Sequence, residues 1–164
     1  MLRKQIIPAS TRAGAAGERR PPDFKDVPAI ATVLVTSESP EHPVDHLFDG
    51  QDGPGGTRWI ASVDGAQELI LAFDAPQTIR EVRLESEEPH RSRTQVITLS
   101  LSRDGGNAYR EILRQEFNFS SPGTTVQRET WSIPAEGATH LRLVIEPDKG
   151  GLACRATLTS LAIR

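Results

Sequence analysis

The sequence predicts an all-β domain, an antiparallel β-sandwich of the jelly-roll type, preceded by a flexible N-terminal leader. Three observations lead there. Apolar and polar residues alternate with period two in six short segments after residue 30. Clusters of Gly, Pro, Asn and Asp punctuate the gaps between those segments. No stretch of ten or more residues carries a helical apolar stripe. Together these favour two packed antiparallel layers.

The elements follow in order. Residues 1–29 read as leader or linker: the few apolar residues at the start are followed at once by Pro8, Ser10, Thr11 and Arg12, so a signal-peptide core is missing. Residues 13–22 have no periodicity and end in Pro21-Pro22. The sandwich is expected over 30–164. Its first strand is the β-branched run 31–36. A short helical turn is expected at 43–48. Strand 68–73 puts Leu69, Leu71 and Phe73 on one face, and 79–85 turns Val82 and Leu84 inward. Strand 96–102 buries Ile97, Leu99 and Leu101, and 141–146 and 156–163 complete the series. Turns are expected at 74–77, 104–107, 121–123 and 148–151.

Composition bounds the function. The 164 residues are one domain's worth, and 37% hydrophobic with 25% charged residues is enough for a packed core. No apolar run approaches the ~18 residues of a membrane helix, which excludes a span of that kind. The single cysteine, Cys154, rules out an intramolecular disulfide. With no export signal and a lone thiol, the expected compartment is the cytoplasm. Net charge is −3, but residues 1–28 carry six basic and three acidic side chains, so the body is more acidic than the whole. An acidic body repels phosphate backbones, so nucleic acid is a disfavoured partner.

Catalytic signatures are missing. There is no Gly-x-Ser-x-Gly elbow, and the Gly-rich run 50–57 lacks the Lys-Ser/Thr of a phosphate-binding loop. Glu87 and Glu88 are adjacent, so on a strand they face opposite ways and do not form a facing carboxylate pair. His42 and His46 are separated by Pro43, which disfavours the helix that would make them a transition-metal half-site. No enzyme activity is expected.

A specific pattern begins at Val44-Asp45-His46-Leu47-Phe48-Asp49-Gly50, continues with Gly56-Thr57-Arg58-Trp59, and runs on through strand 68–73 and Ile79-Arg80-Glu81-Val82. It ends with Ser102-Arg103-Asp104-Gly105 and Leu141-Arg142-Leu143. In this order the pieces resemble the discoidin, or coagulation-factor C-type, domains and equally the family 32 carbohydrate-binding modules, over about residues 31–164. The resemblance implies a galactose-binding-like sandwich. Phe48 and Trp59 are large enough to anchor its core beside the tight turn.

The resemblance also implies two sites. Loop residues Asp49, Asp52 and Thr57 stand where many family members hold a structural calcium, a hard cation wanting six to eight oxygens. The Glu that such members often carry in the last strand is here Ala162, which removes one ligand; the alternative reading is a metal-free Asp-Gly turn, and apart from that calcium no cofactor is expected. Loops at one end of the sandwich would bind ligand, with His42, His90, Arg91, Arg93, Phe117 and Arg155 as candidates. An aromatic ring suits the apolar side of a sugar, and long planar donors suit its hydroxyls. Phe117 and Phe119 are two apart, which fits two core residues on one strand equally well. The expected function is non-enzymatic recognition of carbohydrate; the alternative is an intracellular protein–protein adaptor. A looser resemblance of 109–122 to the N-terminal domain of the single-strand-break repair scaffold adds a third reading, binding of DNA or a repair protein.

Overall fold

The computed structural model describes residues 2–6 and 23–164. Among the described residues the strands are β1 (Arg3–Ile6), β2 (Ala31–Val35), β3 (Trp59–Ile60), β4 (Gln67–Glu87), β5 (Arg93–Ser102), β6 (Arg110–Phe119), β7 (Val126–Glu146), β8 (Thr157–Leu158) and β9 (Ser160–Ile163). A helical turn, α1 (Val27–Ile30), and a 3-10 turn, Val44–Phe48, are the helical pieces among them.

Two long strands make the architecture. The first part of β4 pairs with β2 and with the end of β7, giving the order β1-β2-β4-β7-β5-β6. The later part of β4 pairs with the start of β7 on one side and with β9 on the other. Between these parts the register slips, from Ala72 opposite His140 to Glu81 opposite Ser132, a net offset of one residue. A one-residue slip exchanges the faces of a strand. The buried set of β4 accordingly changes from Leu69 and Leu71 to Val82 and Leu84, and both sets join one core. The two segments expected as separate strands, 68–73 and 79–85, are one irregular strand, and the turn expected at 74–77 is the exposed slip between its halves.

The core is apolar and closed. Trp59, Phe117, Leu69, Leu71, Ile97, Leu99, Leu141, Leu143 and Ile145 are fully buried. Gln95 is buried among them and links the layers like a piece of backbone. Its Oε1 accepts the Thr157 N–H at 3.1 Å, and its Nε2 donates to the Thr157 carbonyl at 2.9 Å. That pairing satisfies two backbone groups that burial would otherwise leave without water.

Three expectations change. The pairing is antiparallel except for β1, which lies parallel to β2. The leader does not run unbroken to residue 29: Leu2 is buried, Arg3–Ile6 form β1, and the Lys25 N–H donates to the Ile163 carbonyl at 2.8 Å. The rest of that leader, 7–22, lies outside the described residues. Finally, β6 and the first half of β7 are strands, although charged residues at successive positions hid their alternation.

A candidate ligand-binding cleft at one rim

The rim is set by local sequence. Pro43 starts the 3-10 turn, whose Val44, Leu47 and Phe48 are buried. Trp59 has no exposed surface, and its indole N–H donates to the Ser37 carbonyl at 3.0 Å. The His46 Nδ1 lies 2.8 Å from the Arg58 carbonyl oxygen. Since successive side chains of a strand point opposite ways, burying Trp59 leaves Arg58 facing out over the rim.

At its end β4 and the residue after it carry three buried carboxylates, each paired with an arginine from elsewhere. Glu85 accepts from Arg128 Nε at 2.8 Å and from the Gly53 N–H. Glu87 accepts from Arg58 and from the Gly55 N–H, both at 3.0 Å. Glu88 pairs with Arg93 Nε at 3.0 Å. Strand alternation turns Glu85 and Glu87 towards the Gly-rich loop, while Glu88 holds the first residue of β5. Arg93 then donates from one terminal nitrogen to the carbonyls of Pro147 at 3.0 Å and Arg155 at 2.9 Å. These paired charges fasten three rim segments to the sheet.

Between the segments lies a cleft of about 520 Å³. It brings together five of the six expected ligand residues: His42, His90, Arg91, Arg93 and Arg155. Phe117 is not among them. It has no exposed surface and sits in the core opposite Gln95, because β6 turns residues 117 and 119 inward together. Arg93 lines the cleft but its guanidinium is engaged within the protein. Arg91, His90 and Arg155 are exposed, and His42 is half-buried.

Sequence reasoning did not pick out Arg58, Asp64 or Cys154 as parts of this cleft. Arg58 was legible in principle, from its position beside an inward-facing Trp. Asp64 and Cys154 join only through the fold. The Cys154 thiol is buried and donates to the Leu152 carbonyl at 3.3 Å.

The expected cation loop has its own bonding. The Asp49 carboxylate accepts from the Thr57 hydroxyl and from the Gln51 N–H at 2.9 Å. Asp52 lies 3.0 Å from Arg128, which also holds Glu85. Thr57 and Asp49 therefore meet each other, and Asp52 is turned to an arginine. Among the described residues no three His, Cys, Asp or Glu side chains gather as a ligand set for a metal.

Two further carboxylates close turns. The Asp148 carboxylate accepts the N–H groups of Thr94 and Leu152, each at 3.0 Å, and these hold its pKa below the usual carboxylate range. Asp104 is lowered in the same way by the Ala108 N–H and then the Ser102 hydroxyl.

No family model matches the sequence, and no curated protein matches it. Solved structures do. The module CpGH89CBM32-5 from Clostridium perfringens, in complex with GalNAc-β-1,3-galactose, superposes with a TM-score of 0.62 at 20% identity, over 86% of this chain and 99% of its own. The family 32 module of NanJ from C. perfringens, in complex with galactose, gives 0.59 at 15% identity, over 85% and 96%. The family 32 module of AlyQ, in complex with 4,5-unsaturated mannuronic acid, gives 0.58 at 23% identity, over 82% and 95%. At such identities the likeness is one of fold: the chain has the galactose-binding-like β-sandwich shared by family 32 carbohydrate-binding modules.

Proposed function

We propose that the protein is a non-catalytic carbohydrate-recognition module and that the rim cleft is its sugar site. One observation carries the reading: four separate stretches of chain, around His42, Arg58, His90 and Arg155, converge on one concave surface rich in planar polar groups. A cleft of about 520 Å³ suits a mono- or disaccharide. The fold supports the reading, because solved modules with this sandwich are complexed with sugars. The adaptor alternative is not favoured by any of these likenesses.

The test is a titration of the ¹⁵N-labelled chain with neutral and acidic mono- and oligosaccharides, followed by amide shifts. Shifts confined to residues 42, 58–64, 88–93 and 153–157 are expected. Silence across the whole panel, or shifts at the opposite rim, would overturn the proposal.

A further inference from the structure

The cleft's own chemistry narrows the ligand, on the premise that it is the sugar site just proposed. We infer that the cleft takes an acidic sugar, one bearing a carboxylate, and that Arg91 and Arg155 are the groups that read it.

The first ground is a missing platform. Among the described residues no Phe, Tyr or Trp lines the cleft. Trp59, Phe48, Phe117 and Phe119 are all spent in the core. A neutral pyranose offers an apolar ring face and weak hydroxyl dipoles, and here no aromatic ring stacks on that face; Ile60, Pro89 and Ala153 are the apolar lining. Charge is then the strongest contact the cleft offers a ligand.

The second ground is what remains after the internal pairs are closed. Four guanidinium groups and three carboxylates line the cleft, on a chain whose net charge is −3. Arg58 is taken by Glu87, and Arg93 by Glu88 and two carbonyls. The side chains of Arg91 and Arg155 are exposed and make no hydrogen bond or ion pair with any described residue. The cleft also holds one carboxylate in the same condition, Asp64. The cleft therefore has a surplus of one positive charge, vested in two free guanidinium forks.

The geometry of the group selects the ligand chemistry. A guanidinium presents parallel N–H bonds that match the two oxygens of a carboxylate. The surplus of a single charge suits one acidic residue at a time, whereas a densely sulfated chain would also meet Asp64 and the acidic body. Asp64 can accept from the sugar's hydroxyls, which a carboxylate does well.

The inference is tested by calorimetry on the full chain with trimers of galacturonate, glucuronate and mannuronate, and with the methyl ester of each, which keeps the sugar and removes the charge. At least one free trimer is expected to bind about tenfold or more tightly than its ester, because each charge-assisted fork is lost on esterification. Its affinity should fall between 50 and 300 mM salt. Arg91→Gln and Arg155→Gln should each weaken it severalfold, with urea midpoints unchanged because both side chains are exposed.

Equal affinity for acid and ester, or uronate binding unaffected by both variants, would overturn the inference and leave the sugar-binding reading standing. Tighter binding of a heparin hexasaccharide than of any uronate trimer would overturn the choice of carboxylate. Failure of every acidic and neutral glycan would bring down the sugar-binding reading itself.

Discussion

Arg91 and Arg93 are two residues apart, carry the same side chain and line the same cleft, yet their environments oppose each other. Arg93 is buried against Glu88, Pro147 and Arg155; Arg91 is exposed with no such partner. Truncating one partner of a buried pair strands the other charge, at about 3–5 kcal/mol. Arg93→Gln should therefore lower the urea-unfolding free energy by that amount and loosen the 147–155 segment. Arg91→Gln should stay within about 0.5 kcal/mol of the parent, as exposed substitutions do. Equal costs for both would contradict this division between a structural and a free arginine. Gln95 shows the same logic without charge, since a buried amide is tolerated only where every polar atom finds a partner.

At the scale of elements, turns and edges are held by specific polar contacts. Asp148 closes the turn after β7 by accepting from Thr94 and Leu152, and its pKa is lowered from an ordinary 3.8. A depressed folded pKa gives stability that is complete above the unfolded value and is lost as pH falls through the folded one. Asp148→Asn should thus be less stable than the parent at pH 6, and the gap should begin to narrow only as pH falls below about 4. Urea midpoints at pH 6, 4 and 3 measure it; a gap constant with pH would refute the cause.

The edge strand β1 makes a second case. Leu2 is buried, Arg3 meets Asp74 at 2.7 Å, and Lys4 pairs with Glu38 at 3.0 Å and with Asp45. The Lys4 side chain is only 7% exposed, so removing it leaves two carboxylates without their cation. A chain beginning at residue 23 should lose about 2–5 kcal/mol, from the buried leucine and the broken pair together. Chemical denaturation of the two chains decides it, and unchanged stability would mean that β1 is an ornament of the sheet.

Across the whole molecule, β4 and β7 pair along both halves of their length, the first half of β4 lying beside β2 and the second beside β9, so the two strands pass from one layer of the sandwich into the other. Neither layer can lose its strands without dismantling the other, so the sandwich should unfold in one transition. Fluorescence of Trp59 and Trp131 and far-UV dichroism should give coincident urea curves. Separate midpoints would show that the layers are independent.

The alternation of side chains is a local property, repeated every two residues, so strands, inward faces, the Trp-anchored turn and the polar character of the rim loops could all be read in order along the chain. Where the pattern failed, the reason was also local. In β6 and early β7 charges occupy successive positions, and the slip in β4 resembled a turn because Pro76 and Asp74 sit in it. Phe117 and Phe119 lie two apart and must share a face, but nothing near them in sequence says which face meets the core.

What the amino-acid order determined by itself is the all-β sandwich and the residue types at its rim. Only the tertiary structure decided which arginine is a strut and which is free. The partners of Arg58 and Arg128 lie 29 and 43 residues away, and the carbonyls that hold Arg93 lie 54 and 62 residues away. A charge's role depends on what folding brings against it, and folding sets that by packing the core, not by spacing along the chain.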